Sequence, residues 1–195
     1  PCLFIHDGGI NHLISAYSIA LETTKKSLTV NGRINFTVLR VMLEHLGQTE
    51  GFRLQEYHKK NAPRFTQRTG DLPVDIELAR YDAIWPPPED YVKLGKQGWK
   101  DRYYRHFFNL DRTRTCQRGK MANIIHDYLR TMSWTLKYYI EGLPSWVWFY
   151  SYHHAPTLSD VSYYLQKNGE PKVFCGIEIG QPVEPLVQLL CVLPP

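Results

Sequence analysis

Apolar positions recur at helical spacing in three long stretches of the chain and one short one. After Asp7, a plausible helix cap, Ile10, Leu13, Ile14, Tyr17 and Leu21 fall three and four apart. Phe36, Leu39, Met42, Leu43 and Leu46 repeat that spacing behind Asn35, which can cap a second helix, with Gly47 as the expected stop. Met121, Ile124, Ile125, Tyr128, Met132, Leu136, Tyr139 and Ile140 draw an apolar stripe of roughly five turns, closed by Gly142 and Pro144. The run "GWKDRYYRHFF" reads as a shorter helix, and "TVNGRI" carries Asn31-Gly32, the strongest short hairpin signal, between Thr29-Val30 and Arg33-Ile34. Residues 51–97 hold "APRF", "GDLPVD" and "WPPPED" without a sustained period and read as an irregular excursion, with Pro86-Pro87-Pro88 as a stiff connector. The pattern predicts a mainly α fold: one helical domain over residues 1–195 with a short β-hairpin and long irregular connectors.

Composition narrows the class. An apolar share of 43% and an aromatic share of 13% over 195 residues argue for a packed core and against disorder. Cys2, Cys116, Cys175 and Cys191 are widely spaced, outside any zinc-ligand pattern, and read as reduced thiols of an intracellular protein. No apolar run is long enough to span a bilayer, so no membrane partner is expected. The stretches "PCLFI" and "LVQLLCVLPP" both read as buried and are expected to continue into more structure.

The formal charge of +4 matters less than its distribution. Between Lys93 and Lys120, nine cations face only Asp101 and Asp111, and Trp99, Tyr103, Tyr104, Phe107 and Phe108 are interleaved with them. That zone is either a solvated helix face or one turned to nucleic acid. Pro144 then forbids continuation of the long helix, so Ser145, Trp146, Val147, Trp148, Phe149 and Tyr150 leave it on a stiff segment. Rings held in that way either pack inward or stack on flat ligands, and stacking on a base contributes about 1–3 kcal/mol without regard to sequence.

Other chemistries find no frame. His153-His154 have no carboxylate or thiol at ligand spacing, and Ser159-Asp160 lack a nucleophile elbow. Gly8-Gly9 and Gly95-Lys96-Gln97-Gly98 fit neither a phosphate-binding loop nor a dinucleotide fingerprint. Two-metal phosphodiester hydrolysis needs clustered carboxylates, and Glu178 in "CGIEIGQPVEP" stands without an acidic partner. No catalytic or metal-binding residue is assigned within this chain.

The segment "GLPSWVWFYSYHHAPTLSD" resembles the signature of the Xrn-type 5'-to-3' exoribonucleases. In that family a long helix ends in Gly-x-x-Ser-Trp-x-Trp, followed by a His-x-Ala-Pro and a Ser-Asp. "VKLGKQGWKDRYYRHFF", "EPLVQLLCVLPP" and "PCLFI" with the helix and hairpin after it are similar, in the same order, to three further family segments. Residues 51–90 have no counterpart, His154 stands where the family has Tyr, and Val183 and Val187 depart around Gln188.

The resemblance implies the helical part of a larger α/β nuclease. Its metal-binding carboxylates, holding Mg2+ or Mn2+, would lie in an N-terminal half upstream of Pro1, so that this segment alone is expected to be inactive. Its implied substrate is single-stranded RNA with a 5'-monophosphate, degraded processively to mononucleotides, and its implied partner is the N-terminal nuclease half of the same polypeptide. This segment would supply the wall of the channel. Trp146 or Trp148, with Trp146 preferred, would stack on bases, Lys100, Arg102, Arg105 and His153 would line the RNA path, and Trp134, Tyr138 and Tyr139 would be core. The wording "GWKDRYY" leans to the nuclear branch over the cytoplasmic one. The alternative is a helical module that holds RNA or a protein and cuts nothing.

Overall fold

The computed structural model describes residues 8–61 and 90–193. Helix α1 (Gly9–Thr24) leads into a hairpin of β1 (Thr29–Val30) and β2 (Arg33–Ile34), then α2 (Phe36–Gln48) and α3 (Glu50–Asn61). In the second described stretch come α4 (Trp99–Phe108), a single 3-10 turn at Thr115–Gln117 running into α5 (Arg118–Glu141), α6 (Leu158–Asn168) and α7 (Pro185–Val192). The expected mainly α class with one short hairpin is what is found. Asp7, Pro86-Pro87-Pro88, Cys2 and the "PCLFI" stretch lie outside the described residues.

Local chemistry accounts for several boundaries. Asn31 and Gly32 both take positive φ, 49° and 71°, as a two-residue turn of matching twist requires, and the strands pair Thr29 with Ile34 and Val30 with Arg33. The Asn35 side chain accepts from the amides of Thr37 and Val38 at 3.2 and 3.4 Å, closing the start of α2. Gly142, at φ 98°, ends α5 just before Pro144.

The core is built around α2, which packs on α1 and α6. Phe36, Leu39, Leu43 and Leu46 meet Ile125 and Leu129 of α5, Val161 and Leu165 of α6, and Val173. Each such side chain contributes about 1.5–3 kcal/mol by leaving water. A smaller cluster of Tyr104, Phe108, Leu110 and Ile124 joins α4 to the first half of α5.

Five expectations change. Residues 51–97 are not irregular throughout: Glu50–Asn61 is helical, anchored at its first residue by the tertiary bonds of Glu50 described below, which a local period cannot reveal. In α1 the buried residues are Ala16 and Ala20, while Ile10, Leu13, Ile14 and Leu21 are exposed. Small side chains let α1 lie close against α2, so the helix was correctly foreseen with the wrong face inward. Gly47 does not stop α2, which runs one residue past it to Gln48. A Cβ there would come within 2.9 Å of the Ser159 backbone, so this glycine sets how near α6 can approach. The stripe on α5 is buried only over its first turns, and Tyr138 and Tyr139 are exposed, Tyr139 to 80%. The run in α7 that reads as buried is likewise open, with Leu186 75% exposed.

Candidate functional site

Leaving α5, the chain turns back along it. Tyr150 packs edge-on to Tyr128 of α5 at 6.0 Å, and Tyr152 reaches Phe108 of α4 at 5.6 Å between ring centroids. The turn is held by Ser145, which is 1% exposed. Its hydroxyl donates to the Glu178 carbonyl at 2.6 Å and accepts from the amides of Val147 and Trp148 at 3.3 and 3.0 Å. The Trp146 amide donates to the Ile179 carbonyl at 2.6 Å. One buried hydroxyl and one strand-like bond therefore lock residues 145–148 against residues 178–179.

The two tryptophans of this locked segment differ. Trp146 is 53% exposed, and Val147 and Phe149 beside it are exposed as well. Trp148 is half-buried beneath the Arg130 guanidinium, 5.9 Å above its ring. Arg130 is itself fixed by donating to the carbonyls of Val173 at 2.7 Å and Cys175 at 3.2 Å. Trp146 offers a free face on a rigid mount, whereas Trp148 helps to form the mount. Trp134 stacks on Tyr138, with centroids 5.5 Å apart and planes within 6°, on the open half of α5.

The second half of the signature segment behaves differently. The start of α6 would leave amides unpaired, and those of Thr157 and Leu158 are satisfied from other helices. Buried Glu50, at the start of α3, accepts from the Leu158 amide at 2.7 Å and from the Ser159 hydroxyl at 2.8 Å. Lys100 of α4 donates to that same hydroxyl and lies 3.8 Å from Glu50. Next to it, the Thr157 amide donates to the Tyr104 hydroxyl at 2.9 Å, and the Thr157 hydroxyl donates to Asp160 at 2.5 Å. Asp160 also accepts from Arg112 at 3.0 Å, and that guanidinium sits 5.2 Å from the Tyr104 ring centre. Burial, with the nearby Asp160 charge, drives the Tyr104 hydroxyl far above the ordinary tyrosine range. Tyr103, which donates to the Ala155 carbonyl at 2.7 Å, is pushed up to about 12, mainly by burial and then by Glu50 and Tyr128.

The cations expected on an RNA path divide in the same way. Lys100 is engaged with Ser159 and Glu50. Arg102 donates to the carbonyls of Val92 at 2.8 Å, Gln97 at 2.9 Å and Lys93 at 3.4 Å, clamping residues 92–97 onto α4. Both spend their donors on this chain. Arg105 is largely in solvent, with Asp111 at 4.0 Å. His153 is exposed, while His154 stacks on Phe107 at 3.7 Å. Burial, followed by the neighbouring His153 and His106, lowers the His154 pKa below its ordinary value.

The acidic side chains near this site are already occupied. Glu50 and Asp160 serve amides, hydroxyls and cations, Asp101 faces Arg112 at 3.6 Å, and Asp111 accepts from Thr113 and faces Arg114 at 3.3 Å. They do not fit a divalent-metal centre, and among the described residues no group of three His, Cys, Asp or Glu side chains could hold a metal ion. Among the same residues no helix is long and apolar enough to cross a membrane. Cys116, Cys175 and Cys191 are free and exposed.

Sequence reasoning singled out Trp146 and did not find Ser145, Glu50 or Tyr104. Ser145 had a signal, a Ser directly after a helix-ending proline. Glu50 had none, since its partners are 108 and 109 residues away.

Comparison with known proteins adds the remaining observation. Residues 77–195 match the family described as the Xrn1 helical domain. Relatives that bear the name 5'-3' exoribonuclease 2 include proteins of Arabidopsis thaliana, Debaryomyces hansenii and Gallus gallus. The Arabidopsis thaliana protein is 37% identical over 54% of this chain and 10% of its own length. The Debaryomyces hansenii protein is 31% identical over 72% of this chain and 14% of its own. The Gallus gallus protein is 36% identical over 54% of this chain and 10% of its own. The chain thus spans between 10% and 14% of the length of these curated relatives.

Proposed function

Because the chain belongs to the Xrn1 helical domain family, we propose that it is the helical part of a 5'-to-3' exoribonuclease and forms one wall of its substrate channel. The observation that carries this reading is Trp146, an exposed indole on a segment locked by Ser145. A ring held in place before the ligand arrives loses little freedom on stacking, and a π face accepts any base. An enzyme that must travel along RNA of every sequence needs such a contact, because base-edge hydrogen bonds would hold it at preferred sites.

In this reading the substrate is single-stranded RNA with a 5'-monophosphate, shortened processively by one mononucleotide per cycle. Trp146 stacks on a base near the 5' end. Trp148 supports it, His153 and Arg105 border the path, and Lys100 and Arg102 hold the wall together without touching RNA. Mg2+ or Mn2+ ions would supply the activated nucleophile and charge neutralisation, held by carboxylates of the nuclease half outside this chain. The relatives' shared name supports placing the protein with the second exoribonuclease type, and a nuclear location goes with that proposal.

The test uses the intact protein that contains this segment, with Mg2+ and single-stranded RNAs that differ only at the 5' end. Release of mononucleotides from 5'-monophosphorylated RNA, and little from 5'-hydroxyl RNA, is the expected result. RNA binding without any hydrolysis would overturn the enzyme reading in favour of a non-catalytic RNA-binding module.

A further inference from the structure

A cleft of about 360 Å³ lies between the start of α5 and α6, and neither Ser145 nor Trp146 lines it. Arg112, Arg114 and Arg118 line it from the α4–α5 connection and the first turn of α5, and Tyr163 and Lys167 line it from α6. Its carboxylate, Asp160, is already committed to Thr157 and Arg112. Arg114 is drawn aside by Asp111 at 3.3 Å, yet its side chain remains 67% exposed. Arg118 and Lys167 pair with no carboxylate among the described residues, and both are exposed.

Two unpaired cations brought to one cleft from different helices repel each other unless an anion stands between them. Arg118 adds to the repulsion by opening α5, whose first turn carries no acidic residue. Tyr163, 63% exposed, sets an aromatic face beside the charges. Cations flanking an exposed ring are what a nucleic acid strand needs: phosphates meet the charges and a base meets the ring. An acidic peptide would use the charges but leave the ring without a flat partner.

We propose that this cleft is a second contact for single-stranded RNA, in which Arg118 and Lys167 bind backbone phosphates and Tyr163 stacks on a base, separate from the platform at Trp146. The two contacts are well spaced. Trp148, beside the platform, packs on Arg130, and the helical rise puts Arg130 roughly 18 Å along α5 from Arg118. A strand held at both places would be gripped away from the point of cleavage, which keeps it on the protein between cycles. The inference rests on the RNA-handling reading above.

Binding is measured on the intact protein without divalent metal, using a 5'-monophosphorylated single-stranded RNA of about 20 nucleotides, longer than one binding groove covers. The pair Arg118→Glu and Lys167→Glu is compared with wild type across salt concentrations, alongside the neutral pair Arg118→Gln and Lys167→Gln. The expected result for the neutral pair is a salt slope smaller by roughly 1.4, at about 0.7 per phosphate on a single strand, and about tenfold weaker binding near 0.15 M salt. The charge-reversed pair should bind more weakly still, and the unfolding midpoint of the neutral pair should hardly move, since neither side chain has a carboxylate partner to lose. Wild-type affinity and slope in both pairs would overturn the second contact while leaving the platform intact. Loss of oligo-glutamate binding with RNA binding unchanged would overturn it in favour of an acidic protein. Failure of the wild-type protein to bind RNA at all would overturn both readings.

Discussion

Between Ser145 and Phe149 the side chains of Trp146, Val147 and Phe149 stand in solvent, whereas between Thr157 and Asp160 the polar groups are paired within the chain. The two stretches are neighbours in one signature segment. In the first, a single buried hydroxyl holds the backbone while Trp146 and Phe149 stay open to solvent. In the second, a carboxylate, an ammonium, a tyrosine hydroxyl and a guanidinium from other parts of the chain converge to fix the start of α6. A continuous motif can therefore contain a presenting part and an anchoring part, and the chemistry of its letters does not say which is which. The difference lies in whether each side chain finds its partner inside the chain.

The contrast is broken most severely at Glu50. Glu50→Ala leaves the Leu158 amide and the Ser159 hydroxyl without their acceptor, and each polar group orphaned in this way costs about 1–3 kcal/mol. Thermal unfolding should begin roughly 4–24 °C lower. A midpoint within a degree of wild type would mean that the seam is open to water and not an anchor.

Trp146→Ala sharpens the contrast from the other side. The expected loss is about 1–3 kcal/mol in single-stranded RNA affinity, a factor of roughly 5 to 150, with the unfolding midpoint nearly unchanged. A large fall in midpoint with RNA affinity intact would move this ring from the presenting part to the anchoring part. Trp148→Ala is the useful companion, because a ring under Arg130 should affect both readouts.

The smallest effect concerns His154. Its pKa lies below the unfolded value, so the folded state resists protonation: stability is full above about pH 6.5 and falls as pH drops through the depressed folded value. His154→Phe should keep the stack on Phe107 and flatten the decline of the unfolding midpoint between neutral and mildly acidic pH. An unchanged slope would mean that protonation of His154 does not limit stability in that range.

What could be read in advance follows from how far each interaction reaches along the chain. The hairpin at Asn31-Gly32, the Asn35 cap and the end of α5 at Gly142 depend on residues within a few positions, and all were legible. The inward face of α1 was not, because large apolar side chains outvote Ala16 and Ala20 in any periodic count, although only the small ones permit close approach to α2. Gly47 looked like a stop signal because its real partner, Ser159, is far away in sequence. The nine cations of the basic zone were visible, but not that Lys100 and Arg102 would turn inward and Arg118 would stay free.

The way Glu50 is satisfied also bears on how the chain assembles. Its partners at Leu158 and Ser159 lie more than a hundred residues downstream, and Lys100 must arrive from a third helix. Docking α3 on α4 without α6 would leave Glu50 without the Leu158 and Ser159 donors, and docking α4 on α6 without α3 would leave the Leu158 amide without its acceptor. Partly assembled states are thereby penalised, and closing so long a loop is slow. The seam should form late and all at once, which makes it a checkpoint: a copy of this domain with α6 seated has already brought α3 and α4 into register.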